Sequence, residues 1–223
     1  MNKLLLSFIV MFSTIGLSST VLAAPQLGQE FDAVAQTLPT TDKSKIEVME
    51  IFWYGCSHCY HMEEPLHTWL KNKPADVNFI RMPGLPNPSW APMAQAFYTM
   101  DALGIQEKLH TKLFDAIHKQ RTLDPTKQKS TINWIVNNSG LDRKKIEGTF
   151  NSFAVNAKVK RAEQVFRSSG ATGVPSLVID GKYITSGTMA GGNPQALQVA
   201  DYIIKNIRAS KKKVSTKKTS SKK

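Results

Sequence analysis

The residues best suited to chemistry in this sequence are its only two cysteines, Cys56 and Cys59. They follow the apolar segment 48–54 and open the segment 57–72, whose pattern predicts a helix. The first turn of a helix carries unpaired N–H groups and the positive end of the helix dipole, and both favour a thiolate. Because the thiolate is the reactive form in disulfide exchange, this spacing and position predict an enzyme that transfers disulfides.

Other roles for the two cysteines are less favoured. A structural bridge across two intervening residues would close almost no loop, so it would hardly constrain the unfolded chain. Cys56, Cys59, His58 and His61 could supply zinc ligands in principle, but a structural zinc site normally uses a second distant pair, and the chain has no further cysteine. Covalent haem attachment needs Cys-x-x-Cys-His, and Tyr60 occupies the last position. We therefore expect neither a metal nor a cofactor.

The first residues have the features of an export signal. Lys3 is the only charge before Glu30, and apolar and small residues fill positions 4–22. Small side chains at Val21 and Ala23 predict a signal peptide over residues 1–23 that is cleaved after Ala23. An uncleaved membrane anchor is the alternative, but the strongly apolar core is shorter than the roughly 20 residues that a span needs. We expect the mature protein to be exported.

The last residues account for most of the positive charge. Residues 209–223 contain seven lysines and no acid, which predicts a disordered lysine-rich tail over 210–223. The chain has 29 basic and 17 acidic residues; without Lys3 and the tail lysines the balance is 21 against 17. The body therefore gives no case for specific nucleic-acid binding. The tail is interpreted as a solvated solubility segment or as a weak contact for anionic surfaces.

The order of the predicted elements indicates an α/β fold. Strand, helix and strand patterns are followed by a block over 89–169 that is helical throughout, then by two strands around the Asp180-Gly181 turn and a final helix. Without the helical block, this order is the thioredoxin plan. We therefore expect a thioredoxin-like fold with an inserted all-helical subdomain. The thioredoxin-like parts are predicted over 24–88 and 171–209, and the subdomain over 89–170.

With these features in this order, the sequence resembles the DsbA family of periplasmic thiol-disulfide oxidoreductases. The resemblance rests on the segment 50–60, the acidic pair Glu63-Glu64, the helical insertion, Gly173-Val174-Pro175, and the segment 180–183. One departure lies between the cysteines. The family's best-known dipeptide there is Pro-His, whereas this chain has Ser-His. Since these two residues tune the redox poise, we expect Ser57 to affect the oxidising strength.

The resemblance implies a role for each site residue. Cys56 is expected to be the exposed nucleophile, with a thiolate stabilised by the helix start and by His58, and Cys59 the more buried thiol. His58 could instead be an exposed residue without a role. Glu50, an acid in a largely apolar strand, is expected to be buried and to relay a proton to Cys59; its alternative is an edge position in solvent.

A second stretch of chain is expected to bind the substrate. The resemblance implies a cis peptide bond before Pro175, on a loop that faces the active site. Val174 would then present its main-chain groups to an extended substrate peptide by strand-like pairing.

The leading hypothesis is a periplasmic dithiol oxidase that introduces disulfides into reduced exported proteins through Cys56 and Cys59. The resemblance implies recycling by a membrane oxidase of the DsbB type. The alternatives are a disulfide isomerase or reductase, and a non-catalytic exported binding or chaperone module. Isomerases of this fold class typically carry a separate dimerisation domain, for which residues 24–41 leave no room.

Overall fold

The structure, a computed structural model, describes the backbone of residues 24–220 and the side chains up to residue 213. The predicted signal peptide lies outside the described residues. Within them, five strands form one sheet in the order β1-β5-β4-β2-β3. The strands are β1 (Asp32–Ala33), β2 (Ile46–Phe52), β3 (Val77–Pro83), β4 (Ser176–Ile179) and β5 (Tyr183–Ser186).

Strand β2 is an inner strand of the sheet, between β4 and β3. All seven of its residues are buried, Glu47 and Glu50 among them, because the sheet is covered on both faces. It pairs in parallel with β3 and antiparallel with β4. The crossover from β2 to β3 is made by α1 (Ser57–Asn72), since parallel neighbours need a long connection. Whatever follows β2 is therefore delivered to the start of α1.

The helical block follows β3 as a short 3-10 turn (Pro88–Trp90) and five helices. Two of these helices begin at side-chain caps: Asp142 accepts from the N–H of Lys145, and Ser152 accepts from the N–H of Val155, which satisfies N–H groups that a helix start leaves unpaired. The helices are α2 (Ala91–Ala102), α3 (Gln106–His118), α4 (Gln128–Ser139), α5 (Arg143–Phe150) and α6 (Phe153–Ser169). This is the inserted helical block that the sequence predicts.

Three apolar clusters fill the molecule. One lies between the start of α1 and the helical block and includes Phe52 and Phe114. The second lies between the sheet and the face formed by α1 and the final helix, α8 (Asn193–Ser220), and the third packs the other sheet face against α2 and α6. The redox motif therefore sits where the sheet meets the helical block.

The C-terminal prediction was wrong in one respect. The sequence predicts that the final thioredoxin-like part ends at residue 209 and that a disordered tail starts at residue 210, but α8 continues to Ser220. No glycine or proline interrupts residues 195–220, and lysine and alanine favour the helix. Arg208 also anchors this helix, because its guanidinium donates two bonds of 2.6 and 2.7 Å to Asp76.

Two short elements were not predicted: β1, which is paired only with β5, and α7 (Gly187–Ala190). Across the described part of the chain, no helix combines the length and the apolar character needed to cross a bilayer.

Candidate active site

Cys56 sits at the N-terminal cap of α1. Its N–H donates to the carbonyl of Trp53 over 3.0 Å, and its own carbonyl accepts from the N–H of Tyr60 over 3.0 Å. These bonds close the turn between β2 and α1 around the motif. Both cysteines are free thiols; Cys56 is partly exposed and Cys59 is fully buried. The exposure expected for the two residues is therefore what the structure shows.

The two thiols have opposite electrostatic environments. A hydrogen bond from the Cys59 thiol lowers the pKa of Cys56 to about 6, and the N–H groups of Cys59 and His58 add to this effect against the opposing effect of burial. Burial raises the pKa of Cys59 well above its usual value, and the neighbouring Cys56 raises it further. At neutral pH, Cys56 is thus the thiolate and Cys59 is the proton-carrying donor.

His58 contributes less to stabilising the Cys56 thiolate than the sequence suggested. Its charge favours the Cys56 thiolate, but the Cys59 thiol and the main-chain N–H groups contribute more. The side chain of His58 is exposed, and a charge in contact with water is strongly screened. The carbonyl of His58 accepts from the side-chain amide of Asn193 over 2.9 Å, so α8 holds this turn from outside.

The loop before β4 faces the redox motif. The carbonyl oxygen of Val174 lies 3.4 Å from Sγ of Cys56 and accepts from the thiol when Cys56 is protonated. The Val174–Pro175 peptide bond is cis, as the resemblance implied. The hydroxyl of Ser176 donates to the carbonyl of Gly173 over 2.8 Å, which closes the turn that presents Val174. The structure therefore brings together two segments that the sequence placed far apart.

A groove of about 1050 Å³ begins at this loop and runs along α1 and α8. His58, Val174 and Pro175 line the end that lies by the cysteines, and Trp69 and Asp201 line a further stretch. The indole N–H of Trp69 donates to Asp201 over 2.9 Å, which joins the two helices.

Glu50 lies in the centre of the sheet and not at an edge, so the alternative of a solvent-exposed carboxylate is wrong. Its side chain is fully buried, and Arg81 stands beside it in register on β3. Arg81 donates from Nε to Oε2 of Glu50 over 3.0 Å, whereas Oε1 has no hydrogen-bond partner in the described part of the chain. Burial raises the pKa of Glu50 to about 8, against the pull of Arg81.

The sequence did not predict the polar cluster around Glu50. Arg81 also contacts Glu63 on α1, with Nη2 3.3 Å from Oε2. Glu63 in turn lies 3.3 Å from Nε2 of His110 on α3, and Nδ1 of His110 lies 2.7 Å from the Tyr54 hydroxyl. A signal existed for Arg81, which is the only charge in its strand. His110 offered none, because a histidine in an amphipathic helix is common.

A second histidine of α3 holds the segment that leads to the cysteines. Nε2 of His118 donates to the carbonyl of Tyr54 over 2.7 Å. On the other side of this segment, Trp53 stacks on Trp90 with ring centroids 4.0 Å apart and planes 9° apart. A Cβ added at Gly55 would lie 2.3 Å from the Trp53 ring, so the motif is approached through a tightly packed aromatic turn.

Comparison with known proteins agrees with this geometry. A family model described as a DSBA-like thioredoxin domain matches residues 82–203. The chain is 34% identical over 212 residues to the thiol:disulfide interchange protein DsbA of Pseudomonas aeruginosa, a match that covers 95% of this chain and 99% of the relative. It is also 34% identical to DsbA of Pseudomonas syringae pv. tomato over 213 residues, a match that covers 95% of this chain and 98% of that protein.

Solved structures give the same result for the fold. A crystal structure of Pseudomonas aeruginosa DsbA superposes with a TM-score of 0.75 at 36% identity, covering 83% of this chain and 95% of that one. The oxidoreductase DsbA of Xylella fastidiosa superposes with a TM-score of 0.78 at 26% identity, covering 84% and 100%. The fold, the redox motif and the length of the match agree, and the chain belongs to the DsbA family of thiol-disulfide oxidoreductases.

Proposed function

We propose that the mature protein is a periplasmic dithiol oxidase that introduces disulfides into newly exported proteins. The observation that carries this proposal is the pairing of an activated Cys56 with the carbonyl of Val174, 3.4 Å from its sulfur. The sulfur of Cys56 is the group that exchanges with substrate thiols, and the carbonyl of Val174 is positioned to bind the main chain of the peptide that carries those thiols.

The reaction consists of two successive thiol-disulfide exchange steps, the first at Sγ of Cys56 and the second at the substrate sulfur bound to it. A substrate thiolate attacks Sγ of Cys56 in the oxidised protein; the Cys56–Cys59 bond breaks, and Cys59 leaves with the electron pair and takes up a proton. A second thiolate of the substrate then attacks the substrate sulfur of the mixed disulfide, and Cys56 leaves as a thiolate. The substrate loses two electrons and two protons, of which one ends on Cys59 and one in solvent.

The environment of Cys56 favours the direction of oxidation. Stabilising its thiolate stabilises the reduced protein, so the disulfide becomes a stronger oxidant; this family is the standard illustration of that relation. A thiol with a low pKa is also the better leaving group in the second step. The Cys59 thiol contributes most to this stabilisation.

Glu50 is proposed to exchange the proton of Cys59. It is buried in the strand that leads to the motif, and in its ionised form it adds to the effect of burial in raising the pKa of Cys59. With a pKa of about 8, it carries a proton at neutral pH and supplies it when Cys59 leaves as a thiolate.

The substrate-binding surface is proposed to be the carbonyl of Val174, the neighbouring Pro175 and the groove beyond them. Residues of the substrate next to its reacting cysteine would pair with the main chain at Val174. The following residues would lie in the groove toward Trp69. An unfolded or extended segment fits this surface better than a folded one, because strand-like pairing requires free main-chain groups.

The function is tested with a peptide that contains two reduced cysteines and with the oxidised mature protein. We expect stoichiometric oxidation of the peptide and complete loss of the reaction in Cys56→Ser. The equilibrium potential, measured in a glutathione buffer for the wild type and for Ser57→Pro, isolates the contribution of Ser57. A strongly reducing potential, together with inability to oxidise the peptide, would assign the protein to the reductases instead.

The export route and the recycling partner are tested separately. Export predicts a mature N-terminus at Ala24 in protein recovered from the periplasm. Recycling by a membrane oxidase of the DsbB type predicts that membranes containing such an oxidase restore the Cys56–Cys59 disulfide. Membranes that lack it should leave the protein reduced.

The lysine-rich C-terminal segment is proposed to make a weak, salt-sensitive contact with anionic surfaces. The proposal is supported by the seven lysines and the absence of acids over residues 209–223. It is tested by cosedimentation with vesicles of anionic phospholipid at low and at physiological salt. If the full chain and a chain that stops after Arg208 sediment equally, the contact with anionic surfaces is refuted, and the segment is interpreted as a solvated solubility segment.

A further inference from the structure

Two buried carboxyls share one arginine below the redox motif. Glu50 of β2 and Glu63 of α1 both contact Arg81 of β3, and the side chains of Glu63 and Arg81 are only 17% and 19% exposed. When both carboxyls are ionised, this cluster has one negative charge in excess. Burying an uncompensated charge is unfavourable, and the cluster therefore favours retaining one proton.

The contacts decide which carboxyl holds this proton. Glu63 receives Nη2 of Arg81 at 3.3 and 3.4 Å and, from the other side, Nε2 of His110 at 3.3 Å. Glu50 receives only Nε of Arg81, and its second oxygen has no partner in the described part of the chain. The carboxyl with more donors is the better carboxylate, which leaves the proton on Glu50.

The orientation of His110 follows from its other neighbours. Nδ1 lies 3.0 Å from the amide nitrogen of Gln106 and 2.7 Å from the hydroxyl of Tyr54. With the Gln106 amide in this orientation its nitrogen donates, so Nδ1 is assigned as the unprotonated acceptor and the ring proton of neutral His110 is placed on Nε2. The Nε2–H therefore faces Glu63, which is its nearest acceptor; the approach is close, although it is not an aligned hydrogen bond.

Burial keeps this histidine neutral. It lowers the pKa of His110 although Glu63 opposes the effect, and it raises the pKa of Tyr54, which stays a hydroxyl donor. Contact with His110 is the largest influence that lowers the pKa of Glu63, against the opposing effect of burial. Cys59 also interacts electrostatically with the cluster, through Glu50. His110 thus acts on the charge distribution without carrying a charge itself.

We propose that His110 is a positioning residue for the disulfide chemistry: its Nε2–H, which lies close to Oε1 of Glu63, keeps that carboxyl ionised and so keeps the shared proton of the cluster on Glu50. The proposal rests on the proposed function in one respect, namely that Glu50 exchanges its proton with Cys59. His110 touches neither the substrate nor the reacting sulfurs, and its effect reaches them through Glu63, Arg81 and Glu50.

The first test uses the reduced wild-type protein. Nitrogen-15 NMR of the imidazole ring is expected to show His110 with a protonated Nε2 and a bare Nδ1 from about pH 5.5 to about pH 8.5, the range around the ordinary histidine pKa. A proton on Nδ1, or a doubly protonated ring at neutral pH, overturns the proposal. This measurement depends on neither activity nor a variant that has to fold.

The second test follows the side-chain carboxyl carbons of Glu50 and Glu63 by carbon-13 NMR at neutral pH. In the wild type, Glu50 is expected at the protonated position and Glu63 at the ionised position. His110→Phe, which keeps a planar ring but removes the donor, is expected to move the Glu63 signal toward the protonated position and the Glu50 signal the opposite way. An unchanged Glu63 signal in a folded His110→Phe protein overturns the proposal.

Two further variants distinguish the effect of the Nε2–H donor of His110 from the effect of packing around its ring. His110→Gln retains an N–H donor and is expected to return the Glu63 signal toward the ionised position. Tyr54→Phe removes the hydroxyl on the far side of the ring but leaves Nε2 in place, and is expected to keep Glu63 ionised. A Glu63 signal that shifts equally in Tyr54→Phe and His110→Phe would assign the effect to packing and overturn the proposal.

The kinetic consequence is measured with the oxidised protein and the dithiol peptide. In His110→Phe, the rate at neutral pH is expected to fall by a factor of about 3 to 10, which is part of the roughly 10²–10⁴ that a general acid typically contributes. His110→Gln should recover most of the loss. A wild type that does not oxidise the peptide would refute the proposed function, whereas wild-type activity with an unchanged rate in His110→Phe would refute this role of His110.

Discussion

The carbonyl oxygen of Val174 accepts from the thiol of Cys56 over 3.4 Å, although 118 positions separate the two residues in the chain. One residue precedes the inserted helical block and the other follows it. The reactive sulfur and the main-chain group proposed to hold the substrate therefore meet only when both parts of the sheet have formed. Since the sulfur and the carbonyl are in contact, a peptide paired at Val174 is delivered directly to the site of exchange.

The depressed pKa of Cys56 predicts a pH-dependent difference in stability between the reduced and oxidised proteins. An unfolded cysteine ionises with a pKa near 9 and Cys56 with a pKa of about 6, so between these values the unfolded reduced chain binds more protons than the folded one. The free energy of unfolding of the reduced protein is then expected to rise with pH relative to that of the oxidised protein. Below the pKa of about 6 the relative stability should no longer change.

Chemical unfolding of both redox forms across this range measures the effect. Because Glu50 is present in both forms, most of its own contribution cancels in the difference. Ultraviolet absorbance of the thiolate gives a second measure, with an expected midpoint of about 6 that is absent in Cys56→Ser. A midpoint near the ordinary cysteine value of 9 would contradict the environment described for Cys56.

The raised pKa of Glu50 predicts the opposite slope in the oxidised protein. Between 4.5, the ordinary pKa, and about 8, the folded protein holds a proton that the unfolded chain has lost. The free energy of unfolding should therefore fall as pH rises through this window. Glu50→Gln is expected to remove this part of the fall, while Arg81 retains Glu63 as a partner.

Glu64→Gln provides the control for this measurement. It removes an exposed carboxylate that follows Glu63 directly on α1, and the fall in stability with pH should remain. Unfolding of the three oxidised proteins in denaturant at about pH 5, 6.5 and 8 compares them across the window in which the proton is held. Equal slopes in the wild type and Glu50→Gln would rule out Glu50 as the buried proton carrier.

A methyl group added at Gly55 is expected to disturb the active-site turn. Its Cβ would lie 2.3 Å from the Trp53 ring, and that ring is stacked on Trp90. Gly55→Ala must therefore displace the ring, at a cost of about 1 to 3 kcal/mol in the free energy of unfolding, as is typical of overpacking. The rate of peptide oxidation should fall as well, because Trp53 holds the N–H of Cys56.

Gly148 offers a matched substitution without such a neighbour. It lies on the exposed face of α5, and a Cβ added there meets nothing within 4 Å. Gly148→Ala is expected to stabilise the protein by up to about 1 kcal/mol, since alanine has the higher helix propensity. Both free energies are obtained from denaturant unfolding, and similar values for the two variants would contradict the proposed clash.

The long final helix predicts a sharp boundary for truncation. A chain that stops after Arg208 keeps the two hydrogen bonds from Arg208 to Asp76 and the buried side chain of Ile207. Its peptide oxidation is expected to equal that of the full chain, and its stability to lie within about 0.5 kcal/mol. A chain that stops after Asn206 loses both contacts and is expected to lose about 2 to 5 kcal/mol, mainly through the missing isoleucine. Thermal unfolding of the two truncated proteins decides the prediction.

The elements that carry a strong local pattern could be predicted from the sequence. The apolar run of β2 and the turn at Asp180 and Gly181 have such patterns, and both elements are present. Strand β1 has none, since its two residues are held only by pairing with Tyr183 and Ile184. The end of α8 was misplaced because the loss of apolar periodicity after Arg208 marks the end of packing, whereas the helix continues through a lysine-rich segment that contains no glycine or proline.

The same distinction applies to the site. Cys56 and Cys59 are adjacent in one turn, so their spacing alone was informative. The cluster of Arg81, Glu63 and His110 is assembled from three elements, and a pattern within any one of them carries no information about the others. The burial of Glu50 could be anticipated from its apolar strand, but the second carboxyl that competes for its arginine could not.

Tyr54 is held by the helical block at two points: His110 contacts its hydroxyl, and His118 binds its carbonyl. Phe52 and Phe114 extend this contact into one apolar cluster that spans both parts of the molecule. The inserted block is thus a structural support of the redox turn and not an independent appendage. We expect the two parts to unfold in one cooperative transition, so that no state populated at equilibrium keeps a working redox site without a folded helical block.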